Sequence, residues 1–228
     1  SATRLGAVVV KEAVARAVWE AGVRVAAAYP GTPSTEILEC VAAYPAIYTE
    51  WSVNEKVSLE VAIGASMMGS RAFSAMKHVG LNVASDALMT LTLTGVEGGL
   101  VIAVADDVGM SSSQNEQDSR FWGRFAHVPM LEPADSQEAY DLARYAFELS
   151  EEFQVPVLMH FQHGVYNTGI GDFHKVLEKY PRVNFIGHAQ TWWGNVDAKL
   201  DQKVLYPTGR VTPGGITDRL LRDYPNMY

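Results

Sequence analysis

A glutamate at the start of an apolar helix is the residue of this chain best suited to proton chemistry. Glu55 follows Asn54, whose side-chain oxygen can cap a helix by accepting an otherwise unpaired backbone N–H. The first helical turn then carries the Glu55 carboxylate, where the helix dipole favours a negative charge. The following residues are apolar or small, which favours close packing against a sheet or another helix: Val57, Val61, Ala62, Ile63, Gly64, Ala65 and Met68. Glu55 is therefore a candidate catalytic carboxyl. The alternative is a solvated carboxylate that only stabilises the helix.

Short apolar strands and helical segments alternate along the chain. The predicted strands are 23–28, 47–51, 71–76, 99–105, 128–131 and 155–160. The predicted helices are 6–21, one from Ser34 or Thr35 to Val41, one from Asn54, 84–93, and one from Asp135 or Ser136 to Leu149. The strand at 99–105 is a continuous apolar run, as expected when both faces of a parallel sheet are covered. The alternation predicts an α/β fold, a doubly wound parallel sheet with helices on both faces.

Three predicted loops follow strands of this sheet. The first is a Pro-Gly turn at 29–36, the second is 77–82, and the third is a long polar stretch at 106–120. Doubly wound folds bind ligands at the carboxyl ends of their strands, so these loops are candidate site segments. As a pattern, the turn at 29–36 fits a structural turn as well as a site, and the stretch at 106–120 fits a disordered surface turn as well as a site.

Composition excludes several classes of function. The net charge is −8 with no basic cluster, which argues against a nucleic-acid partner. Cys40 is the one cysteine, so the chain has no internal disulfide and no cysteine-ligated metal or iron–sulfur site of its own. A single cysteine fits a cytoplasmic location. No apolar run is long enough for a membrane span, and no signal peptide is expected from the first residues.

Five motifs, taken together in order and spacing, resemble the alpha subunit of indolepyruvate:ferredoxin oxidoreductase, a thiamine-diphosphate enzyme. They are Ala28–Ile37, Asn54–Val57, Gly64–Ser66, Lys77–Asn82 and Ser112–Arg120. The resemblance covers about residues 6–158 and concerns the pyrimidine-binding domain of that enzyme. It implies that the sheet is of the thiamine-diphosphate pyrimidine-domain type.

The resemblance also assigns roles to residues. It implies that Glu55 is catalytic and hydrogen-bonds the pyrimidine nitrogen of the cofactor. Cofactor-binding residues would be Pro30, Gly31 and Thr32 in the first turn, with His78 and Asn82 after the third strand. Gln114 and Arg120 are candidates for an aryl 2-oxo acid substrate, because Arg can grip a carboxylate with two hydrogen bonds. For Arg120 the alternative is a surface salt bridge.

A complete enzyme of this kind needs more than the chain contains. The Gly-Asp-Gly motif of the domain that holds magnesium and the diphosphate is absent; Gly171-Asp172-Phe173 lacks the third glycine. The cysteine clusters for iron–sulfur centres are absent too. We therefore expect the isolated chain to be inactive, with magnesium held by a second thiamine-domain subunit or across a homo-oligomer.

The C-terminal part, about residues 155–228, resembles a segment of a metal-dependent amidohydrolase barrel. Its motifs are Pro156–His163, Tyr166–Gly169, Phe173–Pro181 and Asn184–Trp193. The resemblance implies that His160 and His188 occupy metal-ligand positions. Since the other ligands and most of the barrel are missing, no occupied zinc or other divalent-metal site is expected.

Together the two resemblances predict an apparent chimera. It would have a pyrimidine-binding-like domain at 1–158 and a βαβ-like barrel fragment at 159–228. Three functions remain open at this point: a thiamine-diphosphate-binding module, a metal-dependent hydrolase or decarboxylase fragment, and an inactive recombined or designed protein.

Overall fold

A computed structural model describes residues 10–107 and 113–162 of the chain. Helices and strands alternate throughout these residues. The helices are α1 (Val10–Glu20), α2 (Thr35–Val41), α3 (Glu55–Met67), α4 (His78–Thr94), α5 (Arg120–Ala126) and α6 (Ser136–Phe153). The strands are β1 (Val25–Ala28), β2 (Tyr48–Trp51), β3 (Ala72–Lys77), β4 (Leu100–Asp106), β5 (Met130–Leu131) and β6 (Val157–Gln162).

The described strands form one parallel sheet in the order β2-β1-β3-β4-β6-β5. All residues of β3 and β4 are buried, which is why their sequences are almost uniformly apolar or small. The chain winds outward from the centre in both directions, so the predicted doubly wound α/β fold is confirmed.

Two apolar layers cover the sheet. On one face, α1, α2 and α6 pack against β1 and alternate residues of β3, β4 and β6. On the other face, α3, α4 and α5 pack against the remaining residues of β3 and β4. The small residues of β1 (Ala26, Ala27 and Ala28, all at most 1% exposed) let the helices approach the sheet closely.

The prediction of a loop at 77–82 is wrong. Lys77 is the last residue of β3 and the extended residue before α4, and the helix begins at His78. Gly80 lies in the first helical turn, where its missing side chain makes room for the Glu55 side chain on α3. The helix therefore starts six residues earlier than predicted.

Two smaller differences concern helix starts. Ser34 and Thr35 were expected to cap α2, but the Ser34 side chain donates to the Gly31 carbonyl instead. The Thr35 hydroxyl accepts from the Gly31 N–H at 2.8 Å, so both residues close the turn before α2. Helix α5 was not predicted; it has only seven residues, and the hydroxyl of its N-cap residue Ser119 donates to Asp106 and makes no cap hydrogen bond.

The predicted barrel fragment lies outside the described residues, except for its first strand, β6. No helix within 10–107 and 113–162 is long and apolar enough to cross a membrane.

The N-cap of α6 provides a test of the local assignments. The Asp135 carboxylate accepts from the Glu138 N–H at 2.9 Å, as the sequence predicts. We expect Asp135→Ala to lower the free energy of unfolding by about 1 kcal/mol, measured by urea denaturation. The control Gln137→Ala removes an exposed hydrogen bond to Asp141 and should cost no more than about 0.5 kcal/mol. Equal losses in the two variants would contradict the capping role.

Candidate functional site

The carboxyl ends of the parallel strands bring several polar residues to one edge of the sheet. Glu55 starts α3 just after β2, and His78 starts α4 directly after β3. Asp106 ends β4, and His160 lies near the end of the neighbouring strand β6. This is the edge where open α/β sheets place ligands.

Glu55 is a buried carboxylate on the first turn of α3. Asn54 caps the helix by accepting from the Val57 N–H at 2.9 Å, as predicted. The Glu55 residue is only 7% exposed. Within the described residues, nothing donates a hydrogen bond to its carboxylate or forms an ion pair with it. The described residues therefore leave this carboxylate available to a ligand that supplies a hydrogen-bond donor.

The first turn of α4 packs directly on the Glu55 side chain. A Cβ atom placed on Gly80 would lie 2.6 Å from Glu55 Cγ and 2.7 Å from Glu55 Oε1. Both distances are too short for real atoms, so only glycine allows this approach. The glycine thus fixes where the carboxylate can lie.

The turn that contains Pro30, Gly31 and Thr32 lies beside the junction of β3 and α4. A Cβ on Gly31 would be 2.9 Å from Lys77 Cδ, so the turn rests against the lysine side chain. Lys77 is 8% exposed, whereas Pro30 and Thr32 are exposed at the edge of the sheet. The backbone contact Ser34 N to Gly31 O, at 2.8 Å, closes the turn.

His78 is fully buried and holds the loop after β4. Its Nε2 lies 2.9 Å from the Asn115 carbonyl, and its Nδ1 lies 3.4 Å from the Asp107 N–H. A neutral imidazole with the proton on Nε2 accounts for both contacts. Each ring nitrogen therefore faces backbone atoms of the loop.

The structure does not bring Asn82 to the Glu55 carboxylate. Because α4 begins at His78, Asn82 lies two helical positions beyond Gly80 and faces another side of the helix. Its side chain is exposed. Gln114 is exposed as well, on the segment that follows the undescribed residues 108–112.

Arg120 is held by Asp118. The guanidinium donates to the two Asp118 carboxylate oxygens at 2.8 and 2.6 Å, and the Arg120 side chain is 27% exposed. Burial lowers the pKa of Arg120, but the hydrogen bonds and charge of Asp118 outweigh it and raise the pKa. The guanidinium is thus a permanent cation whose fork is already occupied by a carboxylate.

A buried network that the sequence interpretation missed joins β4, β6 and the segment after β5. His160 is fully buried; its Nε2 lies 2.9 Å from Asp106 Oδ2, and its Nδ1 lies 3.4 Å from Glu132 Oε1. The first contact is a hydrogen bond, and the second is a longer ion-pair contact. Burial lowers the pKa of His160, but the two carboxylates raise it to about 9, so the ring is an imidazolium at neutral pH.

Asp106 also fixes the start of α5. It accepts from the Ser119 N–H at 2.8 Å and from the Ser119 hydroxyl at 2.5 Å. The sequence signal for this network was the placement of Asp106 and His160 at the ends of two predicted strands. That placement could not show that the strands are neighbours.

Comparison with known proteins identifies the family of the chain. Residues 16–175 match the family described as pyruvate flavodoxin/ferredoxin oxidoreductase, thiamine diP-binding. The chain belongs to this family. As a member of it, the chain is a thiamine-diphosphate-binding domain related to the 2-oxo acid:ferredoxin oxidoreductases, as the sequence predicts.

Relatives within the family include curated indolepyruvate oxidoreductase subunits. The chain is 55% identical over 151 residues to subunit IorA of Methanothermobacter marburgensis, which covers 65% of the chain and 24% of the relative. It is 44% identical over 189 residues to subunit IorA of Archaeoglobus fulgidus, and this match covers 79% of the chain and 30% of the relative. The chain thus spans about a quarter to a third of the length of these relatives.

Among solved structures, a 2-oxoglutarate:ferredoxin oxidoreductase from Magnetococcus marinus has a similar fold. The TM-score is 0.63 at 20% identity, with 70% of this chain and 29% of the other covered. At this identity the likeness concerns the fold alone. It agrees with the parallel sheet described above.

The amidohydrolase-like interpretation of 155–228 receives no support from these matches. The family match runs on to residue 175, beyond the predicted boundary at 158. Of the two predicted metal ligands, His188 lies outside the described residues. His160 lies together with Asp106 and Asp118, and their possible metal-ligand atoms are all within 4.8 Å of one another, so its metal-ligand role stays a prediction.

The contact between Gly80 and Glu55 gives a direct test of this family member's site. We expect Gly80→Ala to lower the free energy of unfolding by about 1 to 3 kcal/mol, because its methyl group overlaps the Glu55 side chain. The control is Gly64→Ala on the exposed side of α3, where a Cβ meets nothing within 4 Å. That change should stabilise the helix by about 0.5 to 1 kcal/mol. Urea denaturation measures both, and a stabilising Gly80→Ala would contradict the close approach.

The His160 network predicts a pH dependence of stability. The pKa of this histidine is raised on folding from 6.5 to about 9, so its contribution is complete below about pH 6.5 and is lost as the pH rises through about 9. We expect the wild-type chain to lose stability over this range, on the order of 2 to 4 kcal/mol. His160→Phe should flatten that part of the profile.

The control for this profile is His127→Asn, at an exposed position with φ 56° that Asn tolerates. It should leave the pH dependence unchanged. Parallel wild-type and His160→Phe profiles between pH 6 and 10 would show that the ring is not an imidazolium.

Proposed function

We propose that this domain holds the aminopyrimidine ring of thiamine diphosphate through Glu55. The observation that supports this most is the Glu55 carboxylate itself: 7% exposed, at a helix start, packed on Gly80, and without a donor among the described residues. A ring nitrogen that carries a proton supplies the missing donor. The residues present therefore fit the cofactor that the family binds.

Thiamine diphosphate, when bound, supplies the carbanion chemistry that acts on 2-oxo acids. The task of Glu55 is to hold a proton at the ring nitrogen and so favour the imino form of the ring. Gly80 contributes by leaving room for the carboxylate, because a Cβ at this position would overlap the Glu55 side chain.

Further cofactor contacts are proposed for the neighbouring segments. Pro30, Gly31 and Thr32, in the turn after β1, would contact the cofactor, and His78 orders the loop after β4 through Asn115. Asn82 is the weakest member of the predicted set, since it is exposed on α4. It would reach the cofactor only from a surface covered by another domain.

For the substrate we propose an aryl 2-oxo acid, in line with the indolepyruvate named for the relatives. The substrate carboxylate would replace Asp118 on the Arg120 guanidinium. The arginine would then still form one bidentate ion pair. Gln114, exposed on the same loop, can donate to the 2-oxo oxygen.

Magnesium and the diphosphate need a domain outside the described residues. We propose that a second subunit, a homo-oligomer mate or a further domain supplies it, because the relatives are subunits about three to four times longer than the matched segment. The division at 158, the chimera, the partners and a cytoplasmic location stay predictions.

Calorimetric titration of thiamine diphosphate with magnesium tests the proposal. Glu55→Gln should weaken binding about 10-fold or more, because a hydrogen bond to a charged group contributes about 1.5 to 3 kcal/mol. The matched control is Glu60→Gln on the same helix, whose side chain is 52% exposed, and it should bind like the wild type. Equal binding by all three proteins would contradict the role of Glu55. Absence of binding by the wild type, both alone and together with a subunit that supplies the domain for magnesium and the diphosphate, would contradict the proposal and favour an inactive recombined protein.

A further inference from the structure

The network around His160 has a consequence for substrate binding, which rests on the proposed role of Arg120. We propose that His160 is a positioning residue that sets the place of Arg120 through Asp106 and Ser119, and thereby tunes the affinity of the site for a 2-oxo acid carboxylate. His160 itself touches neither cofactor nor substrate in this account.

The first step is the anchoring of Arg120 by Asp106. Ser119 directly precedes Arg120, the first residue of α5. Both the N–H and the hydroxyl of Ser119 donate to Asp106, one to each carboxylate oxygen. Ser119 is fully buried, so water does not compete for these bonds. The start of α5 is thereby tied to the end of β4.

The second step is the anchoring of Asp106 by His160. The imidazole lies on β6, whose residues pair with those of β4; His160 is in register with Val104. It donates to the same Asp106 oxygen that accepts from the Ser119 N–H. Its other nitrogen faces Glu132, just after β5. One ring thus ties together the ends of three neighbouring strands.

The third step is electrostatic. Asp106, Asp118 and Glu132 all act on the Arg120 guanidinium, and a substrate carboxylate must compete with them. His160 pairs with two of the three, Asp106 and Glu132. Without the imidazole, its positive charge no longer offsets Asp106 and Glu132, and these two carboxylates draw the guanidinium inward, away from an incoming anion.

Other anchors of the same loop do not involve this network. Asn115 is held by His78, and the Ser113 hydroxyl donates to Asp107 at 2.8 Å. Loss of His160 should therefore change the position of Arg120 while the loop stays attached near the Glu55 carboxylate. That separation distinguishes a positioning role from a general structural one.

The test follows the Arg120 side chain by NMR in the ligand-free chain. We expect His160→Phe to shift the Arg120 Nε–H signal, and His160→Gln, which keeps a donor toward Asp106, to restore most of the wild-type position. Arg71, which is paired with Glu151 at the opposite end of the strands, serves as the internal control signal. Met159→Leu, a volume-conserving change on β6, should move neither signal.

The same variants are then titrated with two probes, phenylpyruvate and thiamine diphosphate with magnesium. His160→Phe should weaken phenylpyruvate binding about 10-fold, with the dissociation constant for thiamine diphosphate within about 2-fold of the wild type. His160→Gln should recover part of the loss. If His160→Phe does not fold, Ser119→Ala provides the test, because it removes one of the two bonds to Asp106 and should shift the Arg120 signal in the same direction.

Three results would overturn the inference. They are an unchanged Arg120 signal in folded His160→Phe or Ser119→Ala, unchanged phenylpyruvate binding in these variants, and an equal loss of both ligands. The proposed function fails in a different way, through a wild-type chain that does not bind thiamine diphosphate even though Arg120 moves as expected.

Discussion

The close approach of α4 to the Glu55 side chain is the contact on which the site depends. Position 80 in the first turn of α4 needs a glycine, since a Cβ there would overlap the Glu55 side chain unless that side chain moved. The contact buries Glu55 at the first turn of α3, and the described residues give its carboxylate no donor. The contact between Gly80 and Glu55 therefore links the packing of α4 on α3 to the proposed cofactor site.

The parallel sheet explains why the remaining site residues lie around this pair. Every described strand delivers its carboxyl end to the same edge, and the turns and helices that follow carry the polar groups. Two buried histidines then hold the loop after β4 in different ways. His78 is neutral and binds backbone atoms, whereas His160 is charged and binds two carboxylates. The first orders the loop beside Glu55, and the second orders the start of α5.

Local sequence signals predicted the scaffold and the central residue. The Asn54 cap, the buried run of β4 and the Asp135 cap all follow from patterns within a few residues, and the structure confirms them. Resemblance to a family added the cofactor, which no spacing of residues in this chain could have supplied. The family match confirms that addition.

What the sequence did not predict depends on contacts between distant segments. Gly80 acts through its contact with Glu55, which lies 25 positions earlier in the chain. No pattern within a few residues of Gly80 could predict this contact. Asp106 and His160 lie 54 positions apart and meet only because β4 and β6 are neighbours in the sheet. Arg120 could be recognised as a candidate, but its pairing with Asp118 and its anchoring through Ser119 required the fold.

The most direct test of the central claim is carbon-13 NMR of the side-chain carboxyls while thiamine diphosphate and magnesium are added. This account predicts that the Glu55 signal moves in proportion to the bound cofactor, whereas the signal of exposed Glu60 on the same helix stays in place. It also predicts that Gly80→Ala, if folded, diminishes the Glu55 response. A Glu55 signal that stays fixed while the cofactor binds elsewhere on the chain would contradict the assignment of this carboxylate as the partner of the pyrimidine ring.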